Sequence, residues 1–307
     1  SFSLSDLDFN SFTVIPTIRK KGLNYNPYTI KGKMCGIWFC LGNECTDTYE
    51  KSIENIKNRG PEDTKILKIP NVGIMGFNRL AINGLNPEGM QPFSIDPTGF
   101  PGHYEMKAIH YMCNGEIYNW KDLAIQYNIQ VKSQSDCEVL GELYLKHRDN
   151  LTNFFRLLDG VFAIVIVDSE RGRVIIGRDP FGVRPLYIGD NKYFSSEIKG
   201  LVPFCSSITP FMPGTYQIYD TNSLALVETK EYIQVPFLKN PQYENNVQAK
   251  NAIYRALKSA VKKRMLTERP VACLLSGGLD SSLISSLVAK NLRELDVSLP
   301  PLKTFSI

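Results

Sequence analysis

The chain has 307 residues, 43% of them hydrophobic, and a formal net charge of +4. That is enough apolar material for cores in two domains, and the scattered Lys and Arg argue against a nucleic-acid partner. Seven cysteines, an odd number, and the lack of a secretory n-region and h-region argue against a disulfide framework and for a reducing cytosol, while no apolar run is long enough to span a bilayer.

Residues 1–33 are rich in Ser, Asn, Thr and Lys, are interrupted by Pro16 and Pro27, and hold no period of 2 or 3.6. They read as a disordered extension, and Asp6, Asp8 and the single Arg19 argue against a transit peptide. From Met34 to Pro236 the pattern is strand-rich. Gly36–Leu41, Val72–Phe77, Ile109–Cys113, Val161–Asp168, Val174–Arg178, Tyr193–Ser196 and Thr215–Tyr219 are predicted strands bounded by Gly, Asn or Asp. Helices are predicted at Tyr49–Lys57 and Cys137–His147, the second with Val139, Leu140, Leu143 and Tyr144 on one face. Many strands and few helices predict an α+β sandwich of antiparallel sheets with helical cover for residues 34–236. Cys35, Cys40 and Cys45 recur in an apolar stretch at a spacing that matches no usual zinc pattern.

Pro236, Pro241 and Asn245-Asn246 mark residues 237–246 as an interdomain linker. Val247, Ile253, Ala256, Leu257, Ala260 and Val261 then form a helical stripe, ended by Lys262-Lys263-Arg264 where cations suit the helix dipole. An apolar strand, Val271–Leu275, leads into Ser276-Gly277-Gly278-Leu279-Asp280-Ser281-Ser282, and helical spacing follows from Leu283 to Lys290. In such a loop the glycines let the backbone approach a ligand, the serines add hydroxyl donors, and the helix start offers unpaired N–H groups to an anion. Asp280 could hold a magnesium ion among phosphate oxygens. A plain Gly/Ser connector would need neither the acid nor so many donors, and the missing Lys argues against a Walker A loop. Residues 247–307 thus read as the opening of an α/β domain with a parallel sheet, at about 60 residues too short to bury such a sheet on both faces.

Cys35 stands at the start of the first predicted strand. A thiol is a strong nucleophile near neutral pH, and at a chain terminus it carries its own base, an α-amine with a pKa of about 7.7–8.0. The Asn114 amide and Gly115 N–H suit a tetrahedral oxyanion, and Glu116 could grip an ammonium group. Taken singly, Cys35 equally fits a buried structural cysteine, and Asn114-Gly115 a hairpin turn.

Several segments occur in a telling order: Met34-Cys35-Gly36-Ile37-Trp38, Arg59-Gly60-Pro61-Glu62-Asp63, Arg79-Leu80-Ala81-Ile82-Asn83, Asn114 to Asn119, Ser135-Asp136-Cys137-Glu138 and Gly177 to Tyr187. Together they resemble a class II glutamine amidotransferase domain, an N-terminal nucleophile hydrolase, while the glycine loop resembles the PP-loop of ATP pyrophosphatases. From Met34 to Ile307 the chain resembles the glutamine-dependent asparagine synthetase family, nearest its eukaryotic members.

The resemblance implies that Cys35 attacks the side-chain amide of glutamine to give a thioester and ammonia, with Asn114 and Gly115 stabilising the oxyanion. Arg79 would pair with the α-carboxylate of glutamine, assisted by backbone groups around Ile82 and Asn83, and Glu116 and Asp136 would receive its α-ammonium. In the second domain ATP, with Mg2+, and aspartate would give β-aspartyl-AMP, which ammonia arriving through a tunnel converts to asparagine. Leu274 and Ile307 would flank the nucleoside, and Ser276, Gly277, Gly278, Asp280, Ser281 and Ser282 the pyrophosphate and magnesium. No redox cofactor is implied; a cytoplasmic homodimer is. Read without the family, Arg79 also fits a surface ion pair, Asp136 a place inside a capping box of Ser135 and Glu138, and Leu274 a core strand residue.

Asn58 stands where the family often has His, and Glu62 where it has Asp. A peptide-bonded Cys35 nitrogen cannot act as a base, so the chemistry needs a chain that begins at Cys35; removal of Met34 as an initiator residue, or of residues 1–34 as a propeptide, would each supply one. Ending at Ile307 leaves out the family's second phosphate loop and its aspartate-binding part, so the chain is expected to keep only the glutaminase half. Amidophosphoribosyltransferase and glucosamine-6-phosphate synthase share the first domain but use no PP-loop, and a β-lactam synthetase would lack Cys35. A non-catalytic binding protein is the alternative of another class.

Overall fold

A computed structural model describes residues 13–15, 34–42, 48–96, 108–234, 243–296, 298 and 300–306. The chain divides into two units, Lys33–Val235 and a second made of Ser1–Gly32 with Pro236–Ile307. In chain order the strands are β1 (Thr13–Ile15), β2 (Gly36–Leu41), β3 (Asp63–Ile69), β4 (Gly73–Arg79), β5 (Phe93–Ile95), β6 (Ile109–Ile117), β7 (Gly160–Asp168), β8 (Arg173–Arg178), β9 (Tyr187–Gly189), β10 (Tyr193–Ser195), β11 (Ile208–Pro210), β12 (Thr215–Asp220), β13 (Leu226–Glu231), β14 (Val271–Leu274) and β15 (Lys303–Phe305). The helices are α1 (Tyr49–Asn55), α2 (Trp120–Tyr127), α3 (Val139–His147), α4 (Leu151–Leu157), α5 (Asn246–Lys263) and α6 (Leu279–Leu295).

Unit Lys33–Val235 holds two six-stranded antiparallel sheets, in the orders β11-β9-β10-β2-β4-β3 and β13-β12-β8-β7-β6-β5. The period of two along the central strands explains the layering. In β7, Ala163, Val165 and Val167 join Ile37, Phe39, Met75 and Phe77 of the other sheet in one core, while Phe162, Ile164 and Ile166 pack under Leu140, Leu143, Tyr144, Phe154 and Phe155 of α3 and α4. A third core, with Trp38, Ile53 and Ile56, lies between α1 and the outer face of the first sheet. Both faces of each central strand are therefore covered. That is why β7 reads as an unbroken apolar run and not as an alternating one.

The predicted strands all occur, and β6 runs past its expected end at Cys113 to Ile117. Asn114-Gly115 is therefore mid-strand and not a hairpin turn. A Cβ on Gly115 would lie 2.2 Å from the Val161 carbonyl oxygen, so close strand approach is what this glycine serves. The capping box does not form either: Glu138 accepts from the N–H groups of Lys132 (3.0 Å) and Ser133 (2.7 Å) instead. Cys40 is disulfide-bonded and Cys35, Cys113, Cys137, Cys205 and Cys273 are free; an odd total rules out complete pairing, not one bridge.

The second unit has a three-stranded parallel sheet in the order β1-β14-β15. Strand β1 departs from the expectation of a disordered extension: Thr13-Val14-Ile15 is β-branched throughout and pairs with Val271–Cys273. The rest of 1–33 lies outside the described residues, as does 237–242 of the expected linker. At the end of that segment the Asn245 side chain caps α5 by accepting from Val247 (3.1 Å) and Gln248 (3.0 Å) N–H. Of the α5 stripe, Val261 and Leu257 pack against α6 while Val247 and Ile253 are exposed. Among the described residues, no helix is long and apolar enough to cross a membrane.

Candidate active site

Strand register brings the first candidates together. Gly36 pairs with Asn78, so Cys35, one residue ahead of β2, lies beside Arg79 at the end of β4. On β6, Asn114 and Glu116 share the face of Met112, which looks toward the other sheet. One cleft is lined by Met34, Cys35, Arg79, Ile82, Asn83, Asn114, Gly115, Glu116, Asp136 and Arg184, among others. Every residue that the family resemblance assigns to glutamine lines this cleft.

The half-buried Cys35 thiol donates to the Leu80 carbonyl (3.3 Å) and accepts from the Leu80 N–H (3.4 Å). Burial pushes it up to about 11, against the opposing pull of the Leu80 N–H and of Arg184. At neutral pH it is a thiol, so nucleophilic attack needs a base close by. Arg59 steadies the Cys35 backbone, its Nε donating to the Cys35 carbonyl (2.9 Å) while Nη1 meets Glu197 Oε1 (3.4 Å). Glu62 accepts from the Ala81 N–H (2.9 Å), which holds the segment after Arg79. Arg79 is buried and no surface ion pair, with Nη2 bound to the carbonyls of Gly84 and Asn86 (2.8 Å to the latter).

The two expected oxyanion donors differ in how they are freed. Phe162, the register partner of Gly115, turns both backbone groups toward β8: its carbonyl accepts from Asp179 N–H (2.8 Å), and its N–H meets Asp179 Oδ2 (3.3 Å). The Gly115 N–H therefore points away from β7, to the side that β5 covers only as far as the Phe93–Tyr111 pair. On that side the Cys113 N–H meets Gln91 Oε1 and the Ile117 N–H meets Asp136 Oδ2, both at 2.7 Å. The donor between them opens into the cleft. Asn114 is buried, with Nδ2 donating to Ser196 Oγ (3.3 Å) and Oδ1 without a partner.

The two carboxylates are held differently. Glu116 Oε1 is 2.6 Å from Arg184 Nη2, an ion pair already made, and Arg184 Nη1 also meets Met34 Sδ. Asp136 is hydrogen-bonded to Ile117 N–H and to the Asn83 side chain, with no cation against it. Burial lifts its carboxyl to about 6, the Glu116 charge adding to the rise. An ammonium group placed here would find in Asp136 the less committed acid. Arg184 belongs to a segment quoted above but received no role there, and Gln91 and Ser196 carried no sequence signal.

In the other unit, β14, a short loop and α6 follow one another as the glycine pattern predicts. Gly277 has φ +75°, with nothing within 4 Å of a Cβ built on it, so the loop is open to one side. Ser281 and Ser282 hydroxyls donate to the Gly278 carbonyl (3.1 and 2.8 Å), and Ser276 Oγ is 3.0 Å from Ser281 Oγ, which pins the turn. Asp280 is exposed in the first helical turn, and Leu274 is half-buried in β14. Ile307 lies outside the described residues. Among the described residues no group of three acidic, His or Cys side chains could hold a metal, so Asp280 belongs to no such cluster.

A family model described as a glutamine amidotransferase domain matches residues 34–254, and one described as asparagine synthase matches residues 252–307. Asparagine synthetase [glutamine-hydrolyzing] of Homo sapiens is 33% identical over 302 residues, which cover 89% of this chain and 51% of that protein. The Gallus gallus protein of the same name is 32% identical over 301 residues, with the same shares. The chain thus spans about half, 51%, of the length of the curated relatives it matches. Among solved structures, glutamine phosphoribosylpyrophosphate amidotransferase from B. subtilis, complexed with ADP and GMP, aligns with TM-score 0.54 at 17% identity over 89% of this chain and 65% of its own. A second structure, of an allosteric regulatory enzyme of purine biosynthesis, gives TM-score 0.55 at 17% identity with the same shares. At that identity they bear on the fold alone, which is that of the N-terminal nucleophile hydrolase-like amidotransferases. The chain belongs to the glutamine amidotransferase family, with an asparagine synthase segment joined behind the amidotransferase domain.

Proposed function

We propose that the cleft hydrolyses glutamine to glutamate and ammonia, and that the protein uses the ammonia to make asparagine from aspartate and ATP, releasing AMP and diphosphate. The observation that carries the reading is the convergence of Cys35, Arg79, Asn83, Asn114, Gly115, Glu116 and Asp136 on one cleft. Cys35 Sγ attacks the side-chain amide carbon of glutamine, and the oxyanion takes hydrogen bonds from Asn114 Nδ2 and Gly115 N–H. The C–N bond breaks, ammonia leaves with the proton taken from the thiol, and water then hydrolyses the thioester to glutamate and free thiol. The proton carrier is the Cys35 α-amine, which requires that the Met34–Cys35 bond first be cut. Arg79 takes the substrate carboxylate once its guanidinium turns from the Gly84 and Asn86 carbonyls, and Asp136 takes the ammonium.

The open Gly277–Gly278 turn and the α6 N-terminus support a pyrophosphate site in the second unit. Mg2+, which keeps much of its water and usually takes one or two carboxylates beside phosphate oxygens, fits the exposed Asp280 in the first turn of α6. A cytoplasmic homodimer belongs to the same reading and rests on the family. The test is glutamate release from glutamine by the chain beginning at Cys35, alongside Cys35→Ala. Release that the substitution abolishes supports the reading. An intact Cys35 terminus with no release sinks it in favour of a non-catalytic protein.

A further inference from the structure

We propose that Gln91 and Ser196 are positioning residues that jointly set the Asn114–Gly115 donor pair, one through the backbone and one through the side chain. The proposal rests on the reading of those two groups as oxyanion donors.

Gln91 does the work of a missing strand. Strand β5 ends its pairing at Phe93, so the Cys113 N–H, in a residue 1% exposed, has no β5 carbonyl opposite it. The Gln91 side chain reaches into that place and accepts at 2.7 Å. Asp136 does the same two steps further on for the Ile117 N–H. The open edge of β6 is thereby fixed on both sides of Gly115, while the Gly115 N–H itself is left for a ligand. A continued β5 would have consumed that donor; a single side-chain cap leaves it free.

Ser196 works on the partner donor. It is fully buried, and its Oγ accepts from both the Ile37 N–H (3.0 Å) and Asn114 Nδ2 (3.3 Å), while its own N–H donates to the Ile37 carbonyl (3.0 Å). Ile37 lies in β2, two residues after Cys35, which immediately precedes that strand. One hydroxyl thus ties the Asn114 amide to the strand that carries the nucleophile. Asn114 Oδ1 has no partner, so the Ser196 bond is what holds the amide, with the second Nδ2 hydrogen left over for the oxyanion.

The test uses the chain beginning at Cys35 with Gln91→Met, which keeps length but loses the acceptor, and Ser196→Ala. Removing an oxyanion donor outright costs about 100- to 1,000-fold in kcat, so misplacing one is expected to lower kcat for glutamine about 10- to 100-fold with KM unchanged. Affinity for the γ-aldehyde of glutamate, whose thiol adduct carries the oxyanion, should fall by the same factor while affinity for glutamate holds. A merely structural role would move both ligands together, and an unchanged kcat or a rise in KM alone overturns the proposal. Amide hydrogen exchange at Cys113 gives a readout independent of turnover. It should speed about tenfold or more in Gln91→Met and stay at the wild-type rate in Gln91→Glu, which keeps an acceptor. Unchanged exchange in Gln91→Met overturns the Gln91 anchor even if the enzyme is active. A wild-type chain that hydrolyses no glutamine overturns the functional reading, and faster exchange in Gln91→Met then still supports the anchor.

Discussion

Replacing Asp136 by Asn should make the protein more stable at neutral pH while impairing the use of glutamine. Burial lifts the Asp136 carboxyl from 3.8 to about 6 because no cation compensates the charge, and Glu116 adds to the rise. The folded-state value lies above the unfolded one, so the fold favours the protonated form. Its contribution is complete below about pH 4 and is lost as pH rises through 6. A displacement of roughly two pH units corresponds to about 3 kcal/mol at 1.36 kcal/mol each, the cost of holding the ionised acid in place at neutral pH. Asn at this position keeps an oxygen for the Ile117 N–H, now at 2.7 Å from Oδ2, and carries no charge. Urea unfolding of both proteins from about pH 4 to about pH 8 should show the variant ahead by up to about 3 kcal/mol at the upper end and level with wild type at the lower. Glutamine KM should rise about 10- to 100-fold in the variant, the worth of a charge-assisted bond to the ammonium. A stability difference independent of pH, or a variant weaker than wild type at neutral pH, would refute the reasoning.

Other outcomes follow from the same geometry. Arg184→Met leaves the Glu116 carboxylate, 14% exposed, without its partner and should cost about 3 kcal/mol, with Glu116→Gln in the same chain recovering most of it in urea unfolding. In chains that retain Met34, iodoacetamide modification of Cys35, followed by peptide mass mapping, should still climb about tenfold per pH unit past pH 9 and level only near 11, where the thiol titrates. A plateau near pH 8 would contradict the buried, amine-free setting. Gly277→Ala should destabilise its unit by about 1 to 2 kcal/mol in thermal unfolding, a backbone effect alone, because φ is +75° and no atom crowds the added methyl.

How far the sequence carried depended on the range of the interaction. The glycine loop was legible because strand, turn and helix start are set by neighbours within a few residues, and the Gly277 φ and the α6 start lie where the pattern put them. Strand β7 was legible from its apolar run, although periodicity alone could not say that both faces are buried. By contrast, Asn114-Gly115 has the local chemistry of a hairpin turn, and only the approach of β7 on one side makes it mid-strand. Likewise Thr13–Ile15 is an edge strand only because β14 is there to receive it.

By itself the sequence determined the strand-rich first domain and the glycine loop of the second, and its resemblance to a known family pointed to Cys35, Arg79, Asn83, Asn114, Gly115, Glu116 and Asp136, which line the cleft together. Tertiary structure alone decided how those residues are committed. It paired Glu116 with Arg184, left Asp136 as the acid without a cation, and supplied Gln91 and Ser196 as anchors for the donors. The reason is distance along the chain: Gln91 stands 22 residues from Cys113, Asn114 stands 82 from Ser196, and Glu116 stands 68 from Arg184. Hydrogen bonds and burial across such spans exist only once the two sheets have packed, and no local pattern of residues records them.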